Sequence, residues 1–148
     1  MKINELRVGN WVYDNECVCS KIVGVKPFDD SVGCNELEDG SVLVDWYPQG
    51  QSPSREYFMD VNDLIPIPLS EDILLKCGFK MELSISTPTF ICKQRRDLIV
   101  QSLPEIGSYI FRIQAGMGYP TFVRYVDYLH QLQNLFFAIT GEELEVEL

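Results

Sequence analysis

Apolar residues recur at steps of three and four over one long stretch near the C-terminus, where Leu129, Leu132, Leu135, Phe136 and Ile139 fall on one broad face. The spacing predicts an α-helix over about residues 127–140. His130, Gln131, Gln133 and Asn134 lie mostly toward its other side. Asp127 is expected to cap its first amides and Gly141 to stop it in the left-handed conformation. An amphipathic helix must bury its face, and nearly everything before it reads as short strands, so the helix is expected to cover a sheet.

Residues 1–69 carry the pattern of a small all-β unit. Val8 to Tyr13 and Cys17 to Val25 form a hairpin pattern around Asp14 and Asn15, with Gly9 and Gly24 suited to bends or bulges. A further strand is expected around Val32, then Ser41 to Trp46, then Arg55 to Val61, with the Pro-, Gly- and Ser-rich residues 47–54 as a loop. Five short strands with tight turns fit an SH3-like small β-barrel, or else a simple meander. Leu64 to Leu69 contains Pro66 and Pro68, which cannot donate to a ladder, so it is expected at an edge or as a stiff connector.

Residues 70–148 predict an α+β unit. Ser70 is placed to cap a short helix over 70–77, with Glu71 and Asp72 in its first turn and Gly78 beyond its end. Strands are expected at 80–86, 89–93, 98–103, 109–114 and 122–126. Leu144, Val146 and Leu148 alternate with glutamates, the pattern of a last edge strand whose apolar residues cover the core, or else of a frayed acidic tail. The fold expected is therefore α+β, with an antiparallel sheet covered by one C-terminal helix and a boundary between the two subdomains near residue 69.

Composition narrows the setting. The 148 residues are 46% hydrophobic with a net charge of −10, which disfavours broad attraction to phosphate backbones or anionic membranes. Five cysteines in no paired spacing read as reduced thiols. The polar N-terminus does not resemble a signal peptide, and no apolar run reaches the ~20 residues a spanning helix needs. A cytoplasmic protein without a membrane association is expected.

Three blocks carry a resemblance: Ile3 to Val12 (INELRVGNWV), Ile65 to Phe79 (IPIPLSEDILLKCGF) and His130 to Leu144 (HQLQNLFFAITGEEL). Together they resemble a family of small proteins of gut Bacteroides and relatives, often encoded by phages and integrated mobile elements. The resemblance implies a cytoplasmic, prophage-associated setting. It carries no established activity, ligand or partner, and assigns no functional residue.

Candidate chemistry is sparse. His130 is the only histidine, and Asp127 precedes it by one turn, so a cysteine from elsewhere would complete a Cys-His-Asp arrangement. A solvated or sheet-contacting histidine explains the same residues. Gln131 and Asn134, three apart, offer neutral donors and acceptors beside it. Cys17 and Cys19 lack the second ligand pair of a zinc site, the acidic residues between Asp29 and Asp39 lack the spacing of a calcium loop, and nothing indicates a cofactor. Lys93, Arg95 and Arg96 form one local basic cluster, yet residues 1–69 carry five basic against twelve acidic side chains and residues 70–148 seven against ten. Nucleic-acid binding is thereby disfavoured, and the acidity equally suits imitation of DNA. Trp46, Tyr47, Tyr57 and Phe58 flank the 48–54 loop and make the best candidate recognition surface. The leading expectation is a non-enzymatic module that binds another protein; the alternatives are a ligand-binding protein or enzyme with a pocket near His130, and a nucleic-acid binder or acidic DNA mimic.

Overall fold

A computed structural model describes residues 2–26, 41–46, 55–83, 87–114 and 121–148. The expected strand around Val32, the acidic stretch between Asp29 and Asp39, Cys34 and the 47–54 loop lie outside these residues. The fold is α+β: two antiparallel sheets and a C-terminal helix. Strands β1 (Trp11–Tyr13), β2 (Cys19–Lys26), β3 (Ser41–Trp46) and β4 (Arg55–Asp60) follow one another as a meander. Among the described residues no pairing joins β1 to β4, so the meander is an open sheet with β4 at its edge.

Local chemistry makes the first hairpin. The Asp14 carboxylate accepts the backbone N–H groups of Glu16 at 2.9 Å and Val18 at 2.8 Å, which curls the chain between β1 and β2. At Gly24 the β2–β3 register shifts by a bulge, and a Cβ there would lie 3.2 Å from that of Leu43. One face of this sheet packs Val12, Ile22, Val42 and Val44 with Leu6, Val61 and Leu64.

The second sheet is another meander: β5 (Phe79–Leu83), β6 (Pro88–Cys92), β7 (Leu98–Leu103), β8 (Ser108–Ile113) and β9 (Thr121–Val126). Helix α1 (Glu71–Lys76) precedes it, and the Ser70 side chain accepts the Ile73 amide as the sequence predicts. Helix α2 (Leu129–Thr140) follows it. Phe79, Phe90, Phe111 and Phe136 are fully buried in one core with Leu129 and Leu132, each contributing about 1.5–3 kcal/mol by removal from water.

The two cores meet at β1. Its alternation sends Val12 into the first core, while Trp11 and Tyr13, with Cys19 of β2, pack against the second. The proline-bearing connector runs alongside. Ile65 exchanges backbone hydrogen bonds with Tyr13 at 2.9 Å, the Leu69 amide donates to Asp127, and the Leu129 amide donates to Ile67. Prolines 66 and 68 fall between these donors, so no ladder bond is lost.

Two expectations about the C-terminal region need correction. Helix α2 begins two residues later than predicted, with Tyr128 at the N-cap and no side-chain cap. Asp127 is held elsewhere: its carboxylate accepts the Ser108 hydroxyl, its carbonyl accepts the Leu69 amide, and its own amide donates to Gln131 Oε1 at 2.9 Å. Gly141 does end the helix, at φ 73°. Residues 143–148 form neither a strand nor a frayed end, but Leu144, Val146 and Leu148 cover the second core as their alternation predicts, and the Glu147 amide donates to the Lys76 carbonyl.

Candidate functional site

Helix α2 lays its polar side along residues 5–11. Gln133 is 1% exposed, and both ends of its amide are used: Oε1 accepts the Trp11 amide at 2.9 Å and Nε2 donates to the Gly9 carbonyl at 3.1 Å. Asn134 works the same way. Its Nδ2 donates to the Glu5 carbonyl at 2.8 Å, and its Oδ1 accepts Asn10 Nδ2 at 3.0 Å and Arg7 Nε at 3.3 Å. Buried Asn10 accepts the Arg7 amide in turn. Arg7 closes the seam, its Nη2 bonding Glu143 Oε2 at 3.0 Å and its guanidinium lying 4.1 Å from the centre of the Phe137 ring.

One turn before Gln133 the arrangement changes. His130 is 2% exposed, and neither ring nitrogen has a hydrogen-bond partner. Its ring stacks on Tyr128 with centroids 5.8 Å apart and planes 14° from parallel. Burial pushes its proton affinity below the ordinary 6.5, the Glu5 carboxylate pulls it back in part, and the positive amino terminus adds to the fall. The imidazole is part of the wall of a cavity of about 340 Å³, formed with Asn4, Glu5, Arg124, Gln131 and Leu135 and bounded by Asn134. A shallower groove of about 720 Å³ lies along Pro68, Ile106, Ser108, Tyr125 and Tyr128.

The remaining sequence candidates disperse. Tyr57 turns inward, packs on the first core and donates its hydroxyl to Asp14 Oδ2 at 3.3 Å; burial and then the Asp14 charge raise its proton affinity. Phe58, its neighbour, points out and is 64% exposed. Trp46 ends β3, and Tyr47 lies outside the described residues. Lys93, Arg95 and Arg96 do sit together in the β6–β7 turn, but Arg95 forms a two-pronged pair with Asp97, at 3.1 and 3.0 Å, which holds the Asp97 carboxyl low. Lys93 and Arg96 are exposed.

No nucleophile meets the imidazole among the described residues. Cys77 and Cys92 are buried, and burial pushes the Cys77 thiol up to about 12, far from thiolate at neutral pH. Asp127 faces Ser108 rather than a ring nitrogen. No group of three His, Cys, Asp or Glu side chains among the described residues is placed to hold a metal ion, and no described helix is long and apolar enough to cross a membrane. Comparison with family models, with curated proteins and with solved structures returns no match.

Glu5, Arg7, Asn10 and Arg124 were not marked by the sequence. They reach helix α2 from more than a hundred residues away or from a strand whose facing is altered by a bulge between Phe111 and Arg112. Phe58 did carry a signal: Glu56 and Asp60 share its parity on β4, so the polar residues on either side already marked that face as outward.

Proposed function

We propose that this chain is a non-enzymatic protein-interaction module that docks a partner along β4, in the cytoplasmic phage or mobile-element setting that the three sequence blocks imply. In this reading residues 1–69 act as an SH3-like unit and residues 70–148 as the α+β body that carries it. The observation that supports the reading is Phe58, 64% exposed on an edge strand. Its cross-strand neighbour is Leu43, which in turn faces Gly24, so the surface across the sheet from the ring is apolar and low, while Glu56 and Asp60 flank the ring along β4. An edge strand leaves backbone donors and acceptors available for a strand from another chain, and an aromatic side chain beside it supplies an anchor. Trp46, which ends β3 opposite Arg55 of β4, lies on the strand beside it in this proposal. The net charge of −10 favours a partner strand with basic residues.

The nucleic-acid alternative is the weaker one, because Arg95 is already neutralised by Asp97. The test is native mass spectrometry on tagged protein recovered gently from host lysate, under phage-induced and uninduced growth, with Phe58→Ser in parallel. A partner at fixed stoichiometry that disappears with Phe58→Ser is the expected result, since loss of an aromatic anchor costs about 2 kcal/mol or more, roughly 30-fold in affinity. A partner that Phe58→Ser retains in full contradicts docking at β4.

A further inference from the structure

The cavity at the start of helix α2 is lined by several side chains whose hydrogen-bonding groups are only partly used within the protein. The Arg124 guanidinium has no ion pair or hydrogen bond among the described residues and stands exposed on β9. Glu5 uses its carboxylate on the nearby Lys2 amide alone, at 3.3 Å. Gln131 spends its Oε1 on the Asp127 amide, which leaves its two Nε2 hydrogens. His130 has both ring nitrogens without a partner while 2% exposed. Buried polar groups are ordinarily paired, and leaving one unpaired costs about 1–3 kcal/mol. Neither nitrogen is open to solvent, so the ring borders the cavity as part of its wall without presenting a polar atom to it.

From these groups we infer that the cavity binds a small zwitterion of the α-amino acid class, its carboxylate held by Arg124 and Gln131 and its ammonium by Glu5. The two charged walls decide the class. A plain anion meets the Glu5 carboxylate and a plain cation meets the Arg124 guanidinium, whereas a zwitterion satisfies both. The volume of about 340 Å³ lies at the small end of ligand cavities, which run from roughly 300 to 1,000 Å³, and suits a molecule of metabolite size. Leu135 provides an apolar surface for a short side chain. His130 borders the same space and responds to what fills it. This site is independent of β4, and either can exist without the other.

Because His130 is the only histidine, its ring gives an unambiguous pair of nitrogen signals in the full-length chain. Histidine-labelled protein is titrated with pools of L-α-amino acids, then with the single members that act, and separately with acetate and with methylammonium. The expected result is a saturable shift of the His130 ring signals with one or a few amino acids. Acetate and methylammonium are expected to bind far more weakly. Arg124→Gln and Glu5→Gln, both at exposed side chains, are each expected to weaken binding about tenfold or more while leaving the backbone amide spectrum folded. Three results overturn the inference: no shift with any amino acid at millimolar concentration, a shift that acetate reproduces at the same concentration, or binding that neither substitution weakens.

Discussion

Gln133 and His130 stand one turn apart on helix α2, on the side that faces the N-terminal segment, and both are almost wholly buried. Gln133 has its amide oxygen and nitrogen bonded to backbone groups of Trp11 and Gly9. His130 has neither nitrogen bonded. The difference teaches that burial of a polar side chain has two meanings in this molecule. At Gln133, Asn134 and Asn10 it marks a seam, where side-chain amides take the place of a sheet ladder and fasten the N-terminal segment to the helix. At His130 it marks the wall of a cavity, where the ring is packed in without a hydrogen bond to the protein.

The largest effect is expected from breaking the satisfied side. Gln133→Leu removes two bonds at once and takes away the acceptor of the Trp11 amide inside the seam, so it should destabilise the fold by about 3–4 kcal/mol, read as a lower urea midpoint at unchanged slope. Asn134→Ala should cost about 2 kcal/mol. Combined with Asn10→Ala in a double-mutant cycle it should fall short of additivity by about 0.5–2 kcal/mol, because the two side chains share a hydrogen bond of 3.0 Å. Additive losses would mean that the two amides do not act as one network.

Smaller effects sharpen the comparison at its edges. The Arg7–Glu143 pair is partly exposed, so Glu143→Gln should cost about 0.5–1 kcal/mol, less as salt is raised in thermal melts. Acidification tests the other side. Burial holds the folded-state proton affinity of His130 below its unfolded 6.5, so the unfolded chain binds more protons as pH falls through that value. The stability this group permits is therefore complete above about pH 6.5 and declines below it until the folded-state value is reached. Urea titrations of the wild type and of His130→Leu across that window should differ by this slope alone, and identical pH profiles would place the imidazole in a solvated position.

Much of the architecture was legible because it is local. The strand-like runs and turn signals located four strands of the second sheet to within one residue and the start of β5, whose expected end at 84–86 lies outside the described residues; the Ser70 cap and the left-handed Gly141 bounded the helices, and the three-four spacing of Leu129, Leu132 and Phe136 named the face that is buried. Asp127 misled because its backbone and carboxylate are engaged by Leu69 and Ser108, partners that only the tertiary fold brings near. The seam could not be read at all. His130, Gln133 and Asn134 are alike in sequence as polar residues on one helix, and what separates them is whether residues 5–11 arrive within bonding distance more than 120 positions away along the chain. The cavity has the same origin, since Asn4, Glu5, Arg124 and His130 come from separate segments with no spacing to connect them.

Equilibrium urea unfolding of His130→Leu beside Gln133→Leu, at neutral pH in the same buffer, tests the division most directly. Leucine occupies much the same volume as either side chain but removes the polar atoms. His130→Leu is expected to stay within about 1 kcal/mol of the wild type, or to exceed it, because no bond inside the protein is lost, while Gln133→Leu falls by several times that amount. Equal losses from the two substitutions would contradict the account, since they would show that His130 is bonded into the scaffold as firmly as Gln133.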